Sequence, residues 1–153
     1  MEKPIVGILM GSESDREVME VCLQQCRELG IAAELRVSSA HRNPESTREY
    51  ARGARDRGLK VLIAGAGMAA HLAGACASES TLPVIGVPLA GGSLGGMDAL
   101  LATVQMPKGV PVATVAIGSS GARNAAILAA QILALNDPAV EERLLELRRS
   151  WGS

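Results

Sequence analysis

The stretch "KVLIAGAGMAAH", Lys60 to His71, decides the fold. An uninterrupted apolar run, Val61 to Ala64, breaks into Gly65-Ala66-Gly67, and small residues then open a helix near His71 to Ser78. A strand that is apolar without alternation is buried on both faces, and such strands belong to parallel sheets covered by helices. The pattern recurs along the chain. Ile5 to Met10 leads to a helix from near Ser14 that Gly30 stops, and "AELRV" (33–37) leads to one opened by Asn43-Pro44 and closed by Gly58. "PVIGVP" (83–88) leads to "MDALLATVQM" (97–106), and "VPVATVAI" (110–117) to a helix from Asn124 to Leu135. Asp137-Pro138 begins a last helix ending at Trp151. The expectation is α/β: a three-layer, doubly wound, five-stranded parallel sheet with an extra C-terminal helix, about 138–151, in one domain over 1–153.

Composition narrows the function. A chain of 153 residues buries roughly 70% of the surface its unfolded form exposes and needs no metal or disulfide staple. With no Phe, one Tyr and one Trp, the core falls to Ala, Val, Leu, Ile and Met. A net charge of -1 with interspersed signs, and almost no aromatics for stacking bases, argues against nucleic-acid binding. The start lacks a signal-peptide layout, and no apolar run is long enough to span a bilayer, so no membrane association is expected. Cys22, Cys26 and Cys76 are odd in number and form no metal-like pattern. They read as buried free thiols in a cytoplasmic protein. Val140, Leu144, Leu147 and Trp151 form one stripe of the last helix. That stripe packs either on its own domain or on a neighbouring subunit.

Ligands of open parallel sheets bind outside the carboxyl ends of the strands. Five loops are expected there: "GSESD" (11–15), "SSAHRNP" (38–44), "GAGMAAH" (65–71), "LAGGSLGGMD" (89–98) and "GSSGARN" (118–124). They hold both histidines of the chain. In the first, Gly11 permits a tight turn, and Ser12 and Ser14 place hydroxyls beside free helix N–H groups, which suits a phosphate. Arg42 on the next loop can clamp the same phosphate through two parallel hydrogen bonds. Asp15 suits ribose hydroxyls. The blander reading makes Ser14 and Asp15 helix caps only. Gly65, Gly67 and Ala70 match the dinucleotide fingerprint, but no acidic residue ends the following strand, which argues against a dinucleotide. Close helix–sheet packing and a cradle of bare N–H groups for a small anion both remain. No residue set supplies three metal ligands, and no G-x-S-x-G elbow supports acyl-serine chemistry. Two histidines on ligand-facing loops fit general acid–base work on a phosphorylated small molecule.

The motifs "GILMGSESD", "VSSAHRNP", "IAGAGMAAHLAG", "PVIGVP", "GMDALLATVQMPKGVPVATVAI" and "NAAILAAQILA" together resemble the PurE family, class I: the N5-carboxyaminoimidazole ribonucleotide mutases of purine (IMP) biosynthesis. The resemblance runs from about Val6 to Leu135. It implies a flavodoxin-like fold and the rearrangement of N5-carboxyaminoimidazole ribonucleotide to 4-carboxy-5-aminoimidazole ribonucleotide. It implies no metal and no cofactor, and a homo-octamer. The implied catalytic residues are His41, the proton carrier, and His71 in support. The implied substrate-binding set is Gly11, Ser12, Ser14, Asp15, Ser39, Ala40, Arg42, Gly67, Met68, Ala69, Ala70 and Leu72. A second branch of the family carboxylates aminoimidazole ribonucleotide directly and carries SAHK; Arg42 and His71 point to the mutase branch. Asn43, Met68, Ala73, Ala75 and the glycine-rich "LAGGSLGG" depart from the usual pattern. These departures motivate a competing reading, a catalytically silent nucleotide-binding module.

Overall fold

In a computed structural model that describes residues 2–152, the chain forms five parallel strands and six α-helices. The strands are β1 (Val6–Met10), β2 (Ala33–Val37), β3 (Val61–Gly67), β4 (Val84–Leu89) and β5 (Ala113–Thr114). The helices are α1 (Arg16–Glu28), α2 (Pro44–Gly53), α3 (Leu72–Glu79), α4 (Met97–Val104), α5 (Ser119–Ala134) and α6 (Pro138–Trp151). The sheet order is β2-β1-β3-β4-β5, all pairs parallel. This is the flavodoxin-like order, with its switch point between β1 and β3.

Continuous apolar sequence makes the middle strands. β1 is buried throughout, as are Val61 to Gly65 of β3 and all of β4. One face packs Ile8, Met10, Ile63 and Ile85 under α1 and α5; the other packs Leu9, Leu62 and Ala64 under α2 and α3. Each such buried side chain contributes about 1.5–3 kcal/mol relative to leaving it in water. Cys22, Cys26 and Cys76 are buried free thiols. Cys26 beside it and burial push the Cys22 thiol well up, and burial lifts Cys76 to about 12.

Local chemistry sets most boundaries. Gly30, at φ +70, ends α1 in a Schellman motif: the Ile31 N–H donates to Cys26 O and the Gly30 N–H to Arg27 O. Asn43 caps α2 through the Ser46 N–H, and Asp137 caps α6 through the Ala139 and Val140 N–H groups.

Four expectations need correction. The α1 helix starts at Arg16, because Glu13–Asp15 form a 3-10 turn. The α2 helix stops at Gly53, and turns carry the chain to Gly58 at φ +94. The β2 and β5 edges are not covered on both faces: β2 is half-buried to exposed, and β5 holds only two residues. The cause at β5 is a bulge. The Val115 and Gly118 N–H groups bond Gly86 O and Pro88 O, so three residues advance here against two on β4. The fifth helix begins at Ser119 instead of Asn124, because Gly118 at φ +83 turns the chain abruptly into it. For the last helix, the structure shows its own domain under the stripe. Val140 is buried, Leu144 and Leu147 lie against the α1/α5 cluster, and Trp151 is exposed.

Gly121 sits in the first turn of α5, where an added Cβ would lie 1.6 Å from the Ala116 carbonyl oxygen. Backbone cannot yield there as a flexible side chain would. Gly121→Ala should lose about 3 kcal/mol or more of stability in urea unfolding. Gly53→Ala, with nothing within 4 Å of the new methyl group, should gain about 0.5–1 kcal/mol instead.

Candidate active site

Strand order reverses between β1 and β3, and their following loops separate to opposite faces of the sheet. The Gly11 N–H donates to Gly65 O at 3.1 Å and extends the ladder into the crevice. Beyond it lies a cavity of about 560 Å³. Every residue expected to touch substrate lines it: Gly11, Ser12, Ser14, Asp15, Ser39, Ala40, Arg42, Gly67, Met68, Ala69, Ala70 and Leu72, together with His41 and His71.

Each wall has a local cause. Ser12 Oγ accepts the Ser14 N–H at 3.3 Å and the Ser14 hydroxyl at 3.0 Å, which rounds off the first loop. Asp15 stands at the N-cap of α1 with no side-chain capping bond. In the second loop, Ser38 is buried with its hydroxyl 2.7 Å from Thr47 Oγ1, a structural tie. Ser39 Oγ accepts the Arg42 N–H at 3.1 Å, and Ser39 O accepts the Asn43 N–H at 2.9 Å. That turn throws His41 and Arg42 outward, and both are exposed. The Arg42 guanidinium has no protein partner among the described residues.

His71 is the residue before α3, and its carbonyl accepts the Ala75 N–H. Its ring stacks on that of His41, with centroids 5.2 Å apart and planes 8° from parallel. The pair places two imidazoles side by side on one wall. One ring can hold or move a proton while the other fixes its plane.

The named residue set omitted Ala66, Gly91 and Gly92, which also line the cavity, although their loops, 65–71 and 89–98, were expected there. The glycine-rich fourth loop was the available signal. The fifth loop adds nothing to the cavity, because residues 119–124 are helix. Its Arg123 turns away, with Nη1 3.5 Å from Gln25 Oε1. Asp98 Oδ1 accepts the Ala99 N–H within the first turn of α4 at 3.0 Å. Among the described residues no group of three His, Cys, Asp or Glu is placed to hold a metal, and no helix is long and apolar enough to cross a membrane.

The family model for AIR carboxylase matches residues 5–152. The chain belongs to the AIR carboxylase family. It is 54% identical to the N5-carboxyaminoimidazole ribonucleotide mutase of Bacillus subtilis, across 97% of this chain and 91% of that one. It is 53% identical to the mutase of Pyrococcus horikoshii, across 94% and 80%. The crystal structure of Treponema denticola PurE superposes with a TM-score of 0.87 at 30% identity, covering 97% of this chain and 92% of that one.

Burial holds the Asp15 carboxyl above its usual range, against the opposing pull of a Ser12 backbone hydrogen bond. The folded state therefore favours the protonated acid. That contribution is complete below the unfolded-state value and is lost as pH rises through the folded one. Asp15→Asn should accordingly melt at a higher temperature than wild type at pH 7. The advantage should shrink as pH falls through the carboxyl range, in thermal melts followed by circular dichroism.

Proposed function

We propose that this chain is an isomerase of purine biosynthesis that converts N5-carboxyaminoimidazole ribonucleotide to 4-carboxy-5-aminoimidazole ribonucleotide. The observation that carries the reading is the stacked His41–His71 pair, set in one cavity with Arg42 and the "GSESD" turn. Relatives at 53–54% identity bearing the mutase name support it.

The residues divide the work by chemistry. Arg42, Ser12 and Ser14 hold the phosphate, with the guanidinium supplying paired donors. Asp15 accepts from ribose hydroxyls. His41 protonates the carbamate nitrogen, the carbon–nitrogen bond breaks, and carbon dioxide is released within the cavity. Ring carbon four then attacks it, and the proton on that carbon returns to His41 so that aromaticity is restored. One group thus gives the first proton and takes the last. A neutral wall of Gly67, Ala69 and Ala70 suits carbon dioxide, which must be kept without being held fast. No metal or organic cofactor enters this scheme.

The same proposal takes residues 1–153 as one catalytic domain, working in the cytoplasm as a homo-octamer. Leu94, Met97, Leu101 and Val104 are exposed on and before α4, an apolar stripe that assembly would cover. Native mass spectrometry should show the octamer, and a monomer would overturn that element alone.

Incubating the pure protein with the carboxylated substrate tests the function. Formation of the carbon-linked carboxylate faster than in buffer is expected; a rate equal to buffer would make the chain a silent binding module. His41→Asn should lower turnover by about 10²–10⁴-fold, the usual share of a general acid–base group, while ligand still binds in calorimetry. Arg42→Ala should weaken substrate binding by roughly 10–100-fold, the loss of a charge-assisted pair. The family's description favours a second reading, direct carboxylation. Aminoimidazole ribonucleotide with low bicarbonate separates the two, since only a carboxylase makes product efficiently from it.

A further inference from the structure

Met68 is the only described non-glycine residue in the left-handed region, at φ 53. A side chain with a Cβ pays conformational energy there, and such positions persist only when their surroundings over-determine them. Met68 is also 59% exposed, so core burial does not hold it. What it touches is the fourth loop. A Cβ built on Gly92 would lie 3.4 Å from Met68 Cγ, 3.6 Å from Sδ and 3.7 Å from Cε. The Met68 side chain therefore lies beside the face of Gly92 where a Cβ would stand.

In that fourth loop the Gly91 N–H donates to Leu89 O at 3.1 Å, and glycines leave few side chains to pack. Gly92, Gly95 and Gly96 all have positive φ, and nothing lies within 4 Å of a Cβ at Gly91 or Gly95. Its base is anchored, because a Cβ on Gly96 would strike Ile117 and Ala90. Gly91 and Gly92 are the part that walls the cavity.

We infer that Met68 is a positioning residue, clamping the glycine-rich loop as one wall of the cavity and so keeping released carbon dioxide inside it. The inference rests on the mutase reading. If the wall opens after the carbon–nitrogen bond breaks, carbon dioxide escapes. The carbamate then ends as free amine: one proton is taken up at nitrogen, one carbon dioxide is lost, and aminoimidazole ribonucleotide is the product. The clamp should therefore be visible as a partition between rearranged and decarboxylated products, which a purely structural residue would not move.

The test compares wild type with Met68→Ala and Met68→Leu. Both products are quantified from the carboxylated substrate and corrected for its loss in buffer, and amide hydrogen exchange is followed over residues 90–96. Met68→Ala keeps the strained Cβ but removes the contact. It should raise the decarboxylated share by roughly fourfold, the equilibrium change that one buried methylene carries, and should speed exchange in the loop. Met68→Leu keeps bulk and reach and should recover most of both. An unchanged partition in Met68→Ala, with turnover intact, overturns the inference. If wild type rearranges nothing, the mutase reading falls instead, and the clamp is judged on exchange: unaltered protection in Met68→Ala refutes it.

Discussion

The reversal of winding order between β1 and β3, in a sheet whose strands all run parallel, is the constraint on which the rest depends. The crossovers to β2 and from β3 to β4 run to opposite edges, so no connection covers the carboxyl ends of the two central strands. A crevice is left by topology before any side chain is chosen. The Gly11 to Gly65 hydrogen bond keeps the two strands in register up to its lip. A Cβ on Gly65 would strike Met19 in the core below, so glycine there lets α1 pack close under the crevice.

How much of this the sequence carried depended on the kind of signal. Apolar runs with no polar interruption, such as "VGILM" and "VLIAG", describe strands buried on two faces, their shortness and flanking glycines arguing against a buried helix. Glycine and capping residues then marked where Asn43, Asp137 and Gly30 would act. The segment around β5 gave the wrong boundary for a physical reason. Its pairing slips by one residue at the bulge, and the serines and glycine of "SSGAR" look like loop. Tertiary contact overrides that preference: Gly121 lets the helix start directly beneath the Ala116 carbonyl.

The site was legible in residue types but not in arrangement. Serines, an arginine and two histidines announce their chemistry, whereas which loops meet follows only from sheet order. The stacking of His41 on His71 has no sequence signature at all, since 30 positions separate them (41 to 71) and nothing in either loop encodes ring planes. Gly91 and Gly92 were passed over because a glycine offers no functional group to notice. Their contribution is absence: the space their missing side chains leave is space that Met68 and a ligand can use.

Asp15 shows how stability and function pull apart at such a place. An uncapped, partly buried carboxylate at the start of α1 is a poor choice for folding, because burial disfavours its charge. Near a helix N-terminus the charge is otherwise welcome, and a side-chain capping bond to the first turn would have been the simple local solution. The chain instead leaves the Asp15 carboxyl lining the cavity, just as it leaves the Arg42 guanidinium without a protein partner among the described residues. Apart from the Ser12 backbone hydrogen bond to Asp15, both charges keep bonding capacity for groups that arrive from outside.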